Sequence, residues 1–148
     1  MRARVVYDSN YGNTRTIAEL IVSELGEEAL LLNVVDVTAA DLAGIDLLVV
    51  GSPINSWRPT TKIQEFLQGL TPGSLTGVRA AGFDTRIKLF HGDAAGRISQ
   101  ALKKAGATIV ADPQGLTVQG TEGPLAADAV EKARAWAAGI GSALGTTA

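Results

Sequence analysis

Short, nearly continuous apolar runs alternate along this chain with stretches of helical period, and that alternation admits few folds. Ala3–Tyr7, Ala29–Val35, Asp46–Gly51, Val78–Phe83 and Ala107–Ala111 are rich in Val, Leu and Ile and are bounded by Gly, Asp, Asn or Pro, the pattern of strands. Apolar side chains on successive residues, rather than on every second one, point to strands covered on both faces, as in a parallel sheet. Between the runs, apolar residues fall three and four apart: Ile17, Leu20, Ile21 and Leu25, then Ile63, Phe66, Leu67 and Leu70. Ile98, Ala101, Leu102 and Ala105 repeat the spacing, as do Ala129, Ala133, Trp136 and Ile140. These spacings predict amphipathic helices, with Trp136 packing its helix on the sheet. Gly26, Gly106 and Gly145 stand where C-terminal caps are expected. Residues 36–44 leave room for a minimal helix only. The expected fold is therefore an α/β three-layer, doubly wound sandwich with a five-stranded parallel sheet and right-handed crossovers. For five strands the order 2-1-3-4-5 is the common solution, and ligands then bind beyond the carboxyl ends of the strands at the switch point.

Composition narrows the chemistry. The 148 residues are expected to form one domain, and 46% hydrophobic against 19% charged residues excludes a disordered chain. No apolar run reaches the roughly 18–20 residues of a membrane span, and Asp8 and Ser9 cut short any signal-peptide core. The expectation is a soluble cytoplasmic protein. Cysteine is absent and His91 is the one histidine. Disulfides, thiol nucleophiles, iron–sulfur clusters and cysteine zinc sites are thereby excluded, and no serine sits in an elbow context to pair with His91. A net charge of −2 speaks against a nucleic-acid partner, which calls for a basic stripe. Chemistry in such a chain falls to a bound cofactor.

The loop after the first strand reads Asp8-Ser9-Asn10-Tyr11-Gly12-Asn13-Thr14 and leads straight into a helix. Hydroxyl and amide side chains surround a glycine at a helix N-terminus, where free backbone N–H groups and the helix dipole favour an anion. A phosphate could take hydrogen bonds there from Ser9, Asn13, Thr14 and Thr16; the alternative is a turn in which Asn13 or Thr14 caps the helix. The second glycine and the lysine of a Walker loop are missing. Val5-Val6-Tyr7-x-Ser9-x-x-Gly12-x-Thr14-x-x-x-Ala18-x-x-Ile21 resembles the signature of the flavodoxin family. The resemblance extends over the whole chain, residues 1–148, in the family's short form without a long insertion in the last strand. It implies a single flavodoxin-like domain that holds flavin mononucleotide (FMN) noncovalently, with the phosphate on Ser9, Asn10, Tyr11, Gly12, Asn13 and Thr14.

The loop after the third strand, Gly51-Ser52-Pro53-Ile54-Asn55-Ser56-Trp57-Arg58-Pro59, holds a tryptophan outside any apolar stripe. An indole at the switch point is a stacking plate for a planar ring, or a surface or interface side chain. By similarity, Ser52, Pro53, Ile54, Asn55, Ser56 and Trp57 line the flavin ring. Asn55-Ser56 fills the turn in which flavodoxins use glycine's access to positive φ. The loop after the fourth strand, Ala81-Gly82-Phe83-Asp84-Thr85-Arg86, departs from the family in having no Tyr or Trp, so Phe83 and Phe90 are the rings at hand. Phe83, Asp84, Thr85 and Arg86 are expected to meet the pyrimidine edge, and Asp84 with Arg86 could otherwise be a surface ion pair. Arg58, Lys62, Arg86 and Lys88 also fall on or near these two loops, where electron-carrying flavodoxins place carboxylates. They are either solvated charges or a basic rim for an anionic substrate or an acidic partner. His91 lies in the same stretch and reads as solvent-facing.

Three classes compete. A receiver domain of this fold needs an acidic cluster and a lysine after the fifth strand, and here Ser52 ends the third strand while no lysine follows Val110 until Lys132. An FMN-dependent oxidoreductase acting on a quinone, porphyrinogen or other small anionic substrate is favoured by the basic rim and the missing third-loop aromatic. A flavodoxin-type carrier, shuttling electrons between a reductase and an acceptor, is favoured by small size and the lack of a second nucleotide-binding loop. The carrier is the expected function, with no catalytic residues or metal of its own.

Overall fold

In the computed structural model, which describes residues 2–55, 57–87, 92–120 and 122–145, the chain follows the alternation its apolar runs predict. β1 spans Ala3–Tyr7, α1 Asn13–Leu25, β2 Ala29–Asn33, β3 Leu47–Pro53, α2 Thr61–Gln68, β4 Arg79–Ile87, α3 Ala95–Lys104, β5 Thr108–Ile109, β6 Gln114–Val118 and α4 Ala129–Gly145. The stretch between β2 and β3 holds two 3-10 turns, Val34–Asp36 and Ala39–Leu42. All neighbouring strands are parallel, in the order β2-β1-β3-β4-β5.

The sheet departs from expectation at its last strand. β5 is two residues long, beside Arg79 and Ala80 of β4, and a sixth strand, β6, pairs in parallel with the second half of β4 from Phe83↔Gln114 to Ile87↔Val118. Pro113 stands at the break; it has no N–H for a ladder and biases the residue before it. β4 also runs to Ile87, four residues past the apolar run that marks it, and β3 runs to Pro53. Of the polar residues in these extensions, Thr85 and Arg86 line a cleft above the strand ends, while Ser52 and Asp84 accept hydrogen bonds from the chain entering α2 and α3.

Both faces of the sheet are buried. Ala3, Val5 and Tyr7 of β1 and Leu47 and Val49 of β3 point to the layer of α1 and α4, where Ile17, Ile21, Ala133, Ala137 and Ile140 meet them. Val6, Leu48 and Val50 point the other way, onto Ile63 and Leu67 of α2 and Ile98 and Leu102 of α3. Strand alternation thus explains the unbroken apolar runs, each face closing on its own helix layer. Trp136 packs from α4 against Phe83, edge to face at 6.0 Å between ring centroids. Among the described residues, no helix is long and apolar enough to cross a membrane.

Candidate functional site

The carboxyl ends of β1, β3, β4 and β6 converge on a cleft of about 180 Å³. Its first wall is the loop from Asp8 to Gly12. Asp8 Oδ1 accepts from the N–H of Ser9 at 2.9 Å, and Ser9 Oγ accepts from the N–H of Gly12 at 3.0 Å, which folds the loop back on itself. Gly12 is the N-cap of α1 with φ 92°, a left-handed backbone that a Cβ opposes. No side chain caps this helix and no acidic residue sits in its first turn. The first bond within the helix is Thr16 N–H to Gly12 O at 3.0 Å, so the N–H groups of Asn13, Thr14 and Arg15 have no partner in the helix.

Neither Asn13 nor Thr14 acts as a cap. Asn13 Nδ2 donates to the carbonyl of Glu122 at 3.2 Å, which ties the loop before α4 to the cleft. The buried hydroxyl of Thr14 lies 2.8 Å from that of Thr85 of β4. Ser9, Asn10, Tyr11, Asn13 and Thr14 all line the cleft. Thr16 does not, because its hydroxyl donates back to Gly12 O at 2.9 Å.

The second wall follows β3. Pro53, Ile54 and Asn55 line the cleft, and Asn10 Nδ2 donates to Asn55 Oδ1 at 3.1 Å, bridging the two walls. Ser52 is fully buried and lies beneath the wall: its Oγ accepts from Thr60 N–H at 3.0 Å and donates to Pro53 O at 2.8 Å. A hydroxyl so committed holds the loop onto α2 and does not reach a ring. The loop tip is a tight turn closed by two bonds between Asn55 and Arg58, at 2.8 and 3.1 Å. Within the turn, Trp57 takes the positive φ of 75° that the sequence suggests for Asn55-Ser56. The residue is 53% exposed, beside the cleft rather than in its lining. Ser56 lies outside the described residues, as do Lys88, Phe90 and His91.

At the third wall the structure separates residues that are adjacent in sequence. Phe83 is fully buried, facing α1 and α4, with its ring laid across Gly51 of β3 so closely that a Cβ there would collide with the ring carbons. It serves the core and is no stacking plate for a ligand. Asp84 points to the opposite face and is also fully buried, accepting from the N–H groups of Ala94 and Ala95 at the start of α3, at 3.2 and 2.9 Å. Arg86 grips the same carboxylate with Nε at 2.7 Å and Nη2 at 2.5 Å, and lies 3.7 Å from Asp93. This is a half-buried fork, not a surface ion pair. Its hydrogen bond to Asp84 raises the Arg86 pKa above its ordinary value; burial opposes the rise, and the charges of Asp84 and Asp93 add to it.

Thr85, Arg86 and Ile87 face the cleft, together with Val118 of β6. Ile87 and Val118 are absent from the sequence-based set. The alternation of Leu116 and Val118 between Pro113 and Gly120 is the signal that marks β6. Of the basic rim, Arg58 and Lys62 are exposed, whereas Arg86 is bound to carboxylates. Among the described residues, no cluster of His, Asp or Glu could hold a metal ion.

The sequence model of the family described as Flavodoxin matches residues 5–136. The fold is similar to an oxidised flavodoxin from Bacillus cereus, with 22% identity over 96% of this chain and 99% of that one and a TM-score of 0.84. A flavodoxin from the domain Archaea gives 20% identity over 96% and 97% of the two chains and a TM-score of 0.82. A short-chain flavodoxin associated with a bacterial microcompartment is covered in full, as is this chain, at 21% identity and a TM-score of 0.76. No curated protein matches the sequence.

Proposed function

The chain belongs to the flavodoxin family, and from that premise we propose that it holds FMN noncovalently in the cleft above β1, β3 and β4 and passes electrons between partner proteins. The observation that carries the proposal is the uncapped N-terminus of α1, at the end of the cleft lined by the neutral hydroxyl and amide groups of Ser9, Asn10, Tyr11, Asn13 and Thr14. Such a set suits a phosphate dianion, because oriented N–H donors and the helix dipole supply the counter-field. Ser9, Asn10, Tyr11, Gly12, Asn13 and Thr14 hold the phosphate in this reading. Pro53, Ile54, Asn55, Thr85 and Arg86 meet the ring and its side chain. Trp57, exposed at the tip of the second wall, covers one face of the ring.

FMN, when bound, supplies the electron-transfer chemistry. The protein supplies orientation and exclusion of water. The Asn10–Asn55 bridge fixes the spacing of two walls, and the Thr14–Thr85 hydroxyl pair fixes the phosphate loop against β4. The cleft offers the flavin a polar end at α1 and an apolar end at Ile54, Ile87 and Val118. Shuttling implies a reductase and an acceptor. Exposed Arg58 and Lys62 beside the ring end suit an acidic partner surface.

The test is a visible absorption spectrum of the purified protein, with FMN added if it is colourless. Flavin bands and quenched flavin fluorescence at one FMN per chain are expected. A protein that stays colourless in excess FMN overturns the reading. Reduction by a ferredoxin reductase, compared with direct turnover of quinones, then distinguishes a carrier from an oxidoreductase with its own substrate.

A further inference from the structure

Among the residues lining the cleft, Arg86 is the one that carries charge at neutral pH. Its place is fixed more tightly than that of a surface arginine. Nε and Nη2 are committed to Asp84, and the guanidinium lies against Gly115 of β6, where a Cβ would collide with Nε. Nη1, with two donors, has no partner among the described residues. Strand alternation separates Arg86 from the phosphate loop. Thr85 turns toward α1, where it meets Thr14, so Arg86 turns toward α3, where it meets Asp93.

Asp84 offsets the charge only in part. The carboxylate is already met by two N–H groups at the positive end of the α3 dipole. Asp93 is 59% exposed and its influence is screened by water.

Building on the proposal that the cleft holds FMN, we infer that Arg86 is a positioning residue that favours the reduced flavin: its Nη1 donates to the pyrimidine edge of the ring. Reduction of flavin by two electrons adds one proton at N5 and leaves a negative charge over N1 and the C2 carbonyl. A fixed cation at that edge lowers the energy of the product more than that of the neutral oxidised ring. The midpoint potential of this protein therefore lies above that of the same fold with a neutral residue at position 86.

The experiment measures the two-electron midpoint potential by dye equilibration, with dithionite as electron donor, for the FMN-loaded wild type, Arg86→Lys, Arg86→Gln and the double variant Asp84→Asn/Arg86→Gln. The double variant removes both charges together, so the buried carboxylate is not left unpaired. Arg86→Gln is expected to lose roughly tenfold of the preference for reduced flavin, a fall of about 30 mV for a two-electron couple, and the double variant, which also removes the buried negative charge, a smaller share that still exceeds twofold. Arg86→Lys, which keeps the charge, should retain most of the preference. A purely structural role predicts the opposite for the double variant, which should then match wild type. Potentials in both glutamine variants within twofold of the wild-type preference, with FMN bound and far-UV circular dichroism unchanged, overturn this inference alone. A wild-type protein that takes up no flavin overturns it together with the reading on which it rests.

Discussion

At the scale of single residues, two backbone positions carry more than their side chains suggest. Gly12 turns the loop after β1 into α1 with φ 92°, in open space, with no atom close to where a Cβ would stand. Gly12→Ala therefore meets conformational strain but no clash, and should cost about 1–2 kcal/mol in urea unfolding of the flavin-free protein. Trp57 takes the same left-handed region without glycine's freedom, at φ 75°. Strain of this kind costs of order 1–3 kcal/mol and persists where function requires the side chain. Trp57→Gly should accordingly raise the stability of the flavin-free protein by about 1 kcal/mol. Stacking on an aromatic face is worth roughly 1–3 kcal/mol, so FMN affinity should fall roughly tenfold or more, as read by fluorescence titration. A variant both less stable and unchanged in affinity would sink the role given to Trp57. The types of residue in the three loops were legible in the sequence, but the direction each one faces was not. Ser52, Phe83 and Asp84 sit among cleft residues in the sequence and are turned inward by strand register, a property of pairing partners that a local pattern does not contain.

At the scale of elements, β1 and its parallel neighbours were legible because burial on both faces leaves a dense apolar run, and β1 coincides with its run from Ala3 to Tyr7. The last strand was not, because its interruption follows from Pro113 and from a contact made far along the chain. Trp136 of α4 donates from Nε1 to the carbonyl of Asp112 at 2.9 Å, holding the segment between β5 and β6 against the helix layer. Trp136→Phe keeps an aromatic ring near Phe83 and removes the donor. A net loss of about 0.5–1.5 kcal/mol is expected for the hydrogen bond, measured as a lower urea midpoint with an unchanged slope. A changed slope would mean that the segment contributes to the compactness of the whole sheet.

At the scale of the molecule, a ligand that binds only the folded chain must stabilise it by mass action. At free FMN a hundredfold above its dissociation constant the gain is about 2.7 kcal/mol, which for a domain near 150 residues is a rise in melting temperature of roughly 5–10 °C. Calorimetry with and without FMN checks this, and an unmoved transition would contradict binding in the cleft. A raised arginine pKa gives a contribution fully present below the ordinary arginine value and lost only as pH climbs past the raised one, so the titration of Arg86 adds no slope at neutral pH.

The strand that forms the cleft floor has β3 on one side and, through β5 and β6, neighbours on the other at both of its ends, while β2 stands at the rim of the sheet with an open side. Time therefore divides the molecule. In deuterium exchange the amides of β4 should be among the last to turn over, released when the whole chain opens, while those of β2 go early by fraying. The loops after β1 and β3 lie outside the strand ladders and should exchange with the early set, so entry and release of a cofactor are expected to follow these fast local openings rather than the slow global one.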